Sequence, residues 1–166
     1  MKKTTLYIAT SKVDHLAEPK SATQKTVMIS FCLPDFGALF RCRVKYENDN
    51  PLALAAIVGL RFVEVSLKNM AVKQIRLITD SPTFLIGLGN SSRLGAAPQT
   101  VKALEGYAKQ FTIEPALVEM NQNYARQGVE FLPHCPTDVA PPLTYRADSK
   151  IGHGSMLPLQ DGLELN

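Results

Sequence analysis

The chain has 166 residues, of which 45% are hydrophobic and 20% charged, and a formal net charge of +3. One domain of this length buries a real core, and the composition is globular rather than disordered or fibrous. No apolar run is long enough to span a bilayer, the apolar stretch near the N-terminus is too short for a secretory signal, and Cys32, Cys42 and Cys135 are odd in number and far apart, so no disulfide framework is expected and a reducing cytoplasm is the expected setting.

Residues 6–10 read as a first strand, followed by a polar loop over 12–25. In 26–33, Val27, Ile29, Phe31 and Leu33 alternate with Thr26, Met28, Ser30 and Cys32, the period of two expected of a strand. Pro34-Asp35-Phe36-Gly37 is turn chemistry: Pro presets one backbone dihedral and Gly tolerates a positive φ. A third strand returns over 38–46, with Phe40, Cys42, Val44 and Tyr46 on one side and Arg41, Arg43 and Lys45 on the other. The three make an antiparallel meander.

Asn48-Asp49-Asn50-Pro51 starts a helix, with Asn50 as N-cap and Pro51 at the first helical position. It runs to about Lys68. Leu52, Ala56, Leu60, Val63 and Leu67 form a stripe that Ile57, Val58 and Phe62 widen, so this helix is expected to be largely buried. A strand over 74–79 follows, parallel to the first when the helix is a crossover, and ends on Asp80. Ser81-Pro82 opens a short helix broken by Gly87 and Gly89, and a loop over 89–96 leads to a helix opened by Pro98, with Val101 and Leu104 on one face. The alignment of Leu117, Met120 and Tyr124 predicts a further helix over 114–127, closed by Gly128, and then a fifth strand over 129–132. Past His134 the prolines and glycines predict an irregular, partner-dependent tail, so residues 1–134 form the expected domain and 135–166 the tail.

Charge is unevenly placed. Residues 1–76 carry 12 Lys and Arg against 6 Asp and Glu, whereas 77–166 carry 6 against 9, a polarity compatible with a polyanionic partner. Arg41, Arg43 and Lys45 are the candidate nucleic-acid contacts; the same charges also protect a sheet edge from aggregation. Other chemistries lack their residues. The glycines at 87, 89 and 95 have neither the Lys-Ser/Thr of a phosphate-binding loop nor dinucleotide spacing, no G-x-S-x-G elbow is present, and Cys32 and Cys42 are too far apart for a zinc knuckle with His134 and Cys135. His153 reads as a surface histidine.

The order strand, strand, strand, helix, strand, helices, strand resembles the ribonuclease H-like fold. NDNPLALAAIVGL, residues 48–60, is similar to the segment entering that family's first helix, and ITDS, residues 78–81, to its fourth-strand motif, whose Asp is a catalytic metal ligand. The resemblance spans roughly residues 5–134. It implies an α/β protein with a five-stranded mixed sheet, an antiparallel three-strand meander plus two parallel strands, flanked by helices. It also implies two-metal chemistry, in which carboxylates hold a pair of Mg²⁺ or Mn²⁺ ions. Carried over residue by residue, Asp80 is the catalytic metal ligand, while the first-strand Asp falls on Ala9 and the helix Glu on Leu52. The family's last carboxylate sits in an Ala-Asp pair opening a carboxyl-terminal helix, and Ala147-Asp148 stands in that order, making Asp148 the second catalytic candidate. Asp14 and Glu18 are substitutes for the missing first ligand, and His134 is similar to a loop histidine that assists product release in some members.

Asp80 also has a purely structural reading as a cap of the following helix. The sequence therefore leads to a ribonuclease H-like domain without a complete two-metal centre, acting as a nucleic-acid-binding or assembly module. Two alternatives stand beside it: a divalent-metal-dependent nuclease with an acidic site rearranged around Asp80 and Asp148, and a structural protein that pairs with a protein partner or a second copy through its tail. A membrane is not among the expected partners.

Overall fold

The side-chain alternation read in the second and third strands is realised in a sheet with one apolar face. The computed structural model describes residues 2–13 and 23–127. Its strands are β1 (Lys2–Ser11), β2 (Lys25–Leu33), β3 (Ala38–Tyr46), β4 (Val72–Thr79) and β5 (Thr112–Leu117), and its helices α1 (Pro51–Ser66), α2 (Pro82–Gly89), α3 (Pro98–Gln110) and α4 (Tyr124–Gln127). The strands lie in the order β3-β2-β1-β4-β5. β1, β2 and β3 pair antiparallel, while β1 with β4 and β4 with β5 are parallel. This is the five-stranded mixed sheet that the resemblance implies. No helix among the described residues is long and apolar enough to cross a membrane.

The meander turns where Pro34 and Gly37 place it. Gly37 adopts φ 59°, the left-handed region that a side chain disfavours, and its N–H donates to Pro34 O at 3.0 Å. Asp35 ties the turn back to β1, its Oδ2 accepting from Thr4 Oγ1 at 2.8 Å and from Thr5 N at 3.1 Å.

α1 crosses the apolar face and packs on β1 and β2, burying Leu6, Ile8, Ile29, Phe31, Phe40 and Val44 beneath Leu52, Ala56, Leu60 and Val63. Each such large side chain, fully buried, contributes about 1.5–3 kcal/mol. Helix and sheet come close enough at Gly59 that a methyl group there would stand 2.7 and 2.9 Å from the two terminal carbons of Leu6. α2 and α3 complete this layer, α3 packing against α1 and β5. Asn50 caps α1 as its sequence predicts, with Oδ1 accepting from Leu52 N at 2.9 Å and Ala53 N at 3.2 Å, and its amide donates to Leu94 O at 2.7 Å. Asp49 holds the entry to α3, accepting from Ala97 N at 2.9 Å and Thr100 Oγ1 at 2.8 Å.

One expected element is different. The helix read over 114–127 is instead β5, a short 3-10 turn and α4. Leu117, Met120 and Tyr124 happen to fall at helical spacing, but β4 has a free edge beside it and residues 112–117 satisfy its backbone. In the strand that results, Ile113 and Pro115 face the helical layer, while Glu114 and Ala116 pair with Arg76 and Ile78 on the other face. The strand read over 129–132 and the tail from 135 lie outside the described residues.

Candidate functional site

The carboxyl end of β4 delivers Asp80 to the rim of the sheet, beside the end of β1 and the amino ends of α1 and α2. Strand ends of this kind are where open α/β sheets gather polar side chains. Capping of α2 falls to its neighbour: Ser81 Oγ accepts from Phe84 N at 3.2 Å, so the capping role weighed for Asp80 belongs to Ser81. Asp80 does something else. It forms a two-pronged ion pair with Arg126, its Oδ2 accepting from Nε and its Oδ1 from Nη2, the latter at 2.9 Å. The carboxylate is 5% exposed and the guanidinium 24%. Such fork-to-fork geometry is the strongest form of Arg–carboxylate contact.

α4 places Arg126 there, on the sheet face opposite α1, and it is fixed by polar bonds to the strands below. Arg126 Nη1 donates to Thr10 O at 2.6 Å, Arg41 Nη2 donates to Arg126 O at 2.9 Å, and Ser30 Oγ donates to Ala125 O at 2.7 Å. Asn123 closes the set, its amide donating to Ile8 O at 2.9 Å and its Oδ1 accepting from Ala125 N at 3.1 Å. Ala125 is fully buried against Ala9, Cys32 and Leu39, and the Tyr7 and Tyr124 rings meet at 4.9 Å beside them. Arg41 therefore takes part in holding α4 as well as standing on the basic stripe.

Around the pair opens a cleft of about 440 Å³, lined by Thr10, Asn50, Leu52, Asp80, Thr83, Met120 and Arg126 among others. Leu52 thus sits in the cleft where the resemblance puts a Glu, and Ala9 packs beneath Ala125. No group of three or more His, Cys, Asp and Glu that could hold a metal ion occurs among the described residues. With both oxygens of Asp80 engaged by a guanidinium, the described residues do not fit the donor set of a two-ion centre, which needs several carboxylates sharing its cations. Asp148, Asp14, Glu18, His134 and His153 lie outside the described residues.

Arg43 and Lys45 are exposed and Arg41 half-buried, all on β3, which is an edge strand as the charge pattern suggested. Arg126, Asn123 and Tyr124 were not among the sequence candidates. Their signal was present in Ala125-Arg126, a small-residue and charged pair at the start of the helix that follows the fifth strand, once that strand is placed at 112–117.

No family model and no curated protein sequence matches this chain. Its structure is similar to ribonuclease H1 from the halophilic archaeon Halobacterium salinarum, with a TM-score of 0.51 and 14% identity over 74% of this chain and 89% of that one. It also overlaps the N-terminal ribonuclease H domain of a Mycobacterium tuberculosis protein, solved as a fusion with maltose-binding protein, with a TM-score of 0.46 and 12% identity over 73% and 85% of the two chains. The class is thereby defined: this chain has the ribonuclease H-like fold. At such identity the likeness concerns the fold, and the site must be argued from its own residues.

Proposed function

We propose that this chain is a nucleic-acid-binding module built on the ribonuclease H-like fold, in which an arginine stands where a nuclease of that fold gathers divalent cations. The observation that carries the reading is the two-pronged Asp80–Arg126 pair. A guanidinium already neutralises the retained carboxylate, and its positive charge opposes the entry of a cation. The residues around it support the same reading. Ala9 and Leu52 fall where the resemblance puts two further carboxylates. The basic stripe of Arg41, Arg43 and Lys45 supplies attraction to phosphates that does not depend on a metal.

The test is an assay of binding and cleavage on the same labelled oligonucleotides: single-stranded RNA and DNA, and an RNA–DNA hybrid, each in Mg²⁺, in Mn²⁺ and in EDTA. Binding that weakens with salt, is equal with and without metal, and leaves every strand intact is the expected result. Mn²⁺-dependent cleavage that an Asp80→Asn variant loses would overturn the reading in favour of a nuclease built around Asp80 and Asp148. Absence of binding to all three would remove the nucleic-acid role and leave a protein-assembly module.

A further inference from the structure

The sheet face opposite α1 combines two features that single-stranded nucleic acid requires. Along β3, Arg41, Arg43 and Lys45 alternate onto this face, spaced two residues or about 6.8 Å apart. Across the sheet, Arg76 on β4 and Lys3 on β1 share the face, Lys3 paired with Glu114 at 2.6 Å. Between these flanks lies the Tyr7–Tyr124 pair, partly exposed, with ring centres 4.9 Å apart. Tyr7 stands in one row with Cys32 of β2 and Leu39 of β3, so the aromatic pair is two strand spacings, about 10 Å, from β3, along which Arg41, Arg43 and Lys45 follow Leu39 by two, four and six residues. Among the described residues the element covering this face is α4.

Resting on the nucleic-acid reading above, we infer that this face is a platform for a single strand of RNA or DNA, its backbone following the β3 cations and its bases meeting the tyrosine pair. The charges decide the class of occupant. Among the described residues the face carries Glu114 against the five cations, with Asp80 and Arg126 matched to one another, so its charge complements a polyanion, whereas two-fold pairing of two copies through β3 would set like charges opposite one another. The tyrosines decide its form. A ring can stack only on a base whose flat face is presented, as in an unpaired strand; a duplex keeps those faces inside its own stack.

The experiment measures fluorescence anisotropy of the full chain with 12-nucleotide oligo-dT, oligo-U, a DNA duplex and an RNA–DNA hybrid across a KCl series. Single strands bind more tightly than either duplex. The double substitution Arg43→Glu and Lys45→Glu, at exposed positions, weakens single-strand binding on the order of tenfold or more. Neutralising the same two positions with Gln lowers the slope of log affinity against log salt by about 1.4, the value for two phosphate contacts on a single strand. Tyr124→Ala loses roughly 5- to 140-fold, and Tyr124→Phe, which keeps the ring, stays near wild type. Ultraviolet cross-linking of bound oligo-U then gives adducts on peptides carrying Tyr7 or Tyr124. Duplex binding at least as tight as single-strand binding, or single-strand binding indifferent to both sets of substitutions, overturns the inference and leaves the broader reading standing. Binding of none of the four overturns the broader reading itself. A concentration-dependent oligomer in sedimentation that the β3 substitutions dissociate assigns the face to a second copy and overturns the inference as well.

Discussion

Replacing Arg126 by Ala is the perturbation whose size the structure defines best. The variant removes both guanidinium bonds to Asp80 and the 2.6 Å bond to Thr10 O, and leaves a carboxylate that is 5% exposed without its counter-charge. A buried charge stripped of its partner costs about 3–5 kcal/mol, and the partial exposure of Arg126 puts this case near the lower end, about 3 kcal/mol. That is a large part of the roughly 5–15 kcal/mol by which domains are stable. Urea unfolding followed by circular dichroism reads it directly: with a slope of about 2 kcal/mol per molar, the midpoint falls by about 1.5 M. Adding Asp80→Ala removes the stranded carboxylate, so the double variant is more stable than Arg126→Ala, with a coupling of about 1–3 kcal/mol in the double-mutant cycle. Arg126→Lys keeps the charge but not the fork and falls between. A loss below about 0.5 kcal/mol in Arg126→Ala, within the range of ordinary surface substitutions, or strictly additive effects in the cycle, would refute the claim that this pair is a fixed part of the fold.

Three further outcomes follow from named contacts. Asn50→Ala loses the cap of α1 and the bond to Leu94 O, lowering stability by about 1–2 kcal/mol; a thermal midpoint unchanged from wild type would contradict this. Gly59→Ala, which elsewhere in a helix gains up to about 1 kcal/mol, here drives a methyl group to within 2.7 Å of Leu6 and is destabilising by about 1 kcal/mol net, read from the guanidinium midpoint; a stabilised variant would show that Leu6 moves aside freely. Tyr107 ionises late: its burial, then the nearby Glu64 charge and the 3.2 Å bond it donates to that carboxylate, push its pKa up to about 12, with Arg61 opposing. The folded state therefore holds this proton longer than the unfolded state, so stability is unaffected below about pH 10 and declines as pH rises from there toward 12. Absorbance titration of tyrosinate should lose a step near pH 12 in Tyr107→Phe, and a variant curve that lacks no step there would contradict the assignment.

The order of the first four strands and α1 was legible because each announces itself locally. The alternation in β2 and β3 names their buried faces, Pro34 and Gly37 mark the turn, and Asn50-Pro51 fixes the start of α1 to the residue. β5 was not legible. Its six residues are an edge strand with a proline inside, and Leu117, Met120 and Tyr124 imitate a helical stripe across what is a strand, a 3-10 turn and the short helix α4. Strand identity there comes from the vacant edge of β4, a tertiary demand that local pattern does not carry. The site follows the same division. Asp80 at a strand end was readable, but its partner lies 46 residues onward and reaches it through bonds from Ser30, Arg41 and Asn123 that hold α4 in place. The aromatic pair on the basic face was hidden likewise, since Tyr7 and Tyr124 meet only when α4 lies across β1.

The account turns on whether Asp80 belongs to an arginine or to a pair of cations. Isothermal titration of Mn²⁺ and of Mg²⁺ into the full chain addresses this without any assumption about a substrate. The account predicts no saturable heat at millimolar metal, both for the wild type and for Asp80→Asn. Saturable binding of two ions per chain that Asp80→Asn abolishes would contradict it.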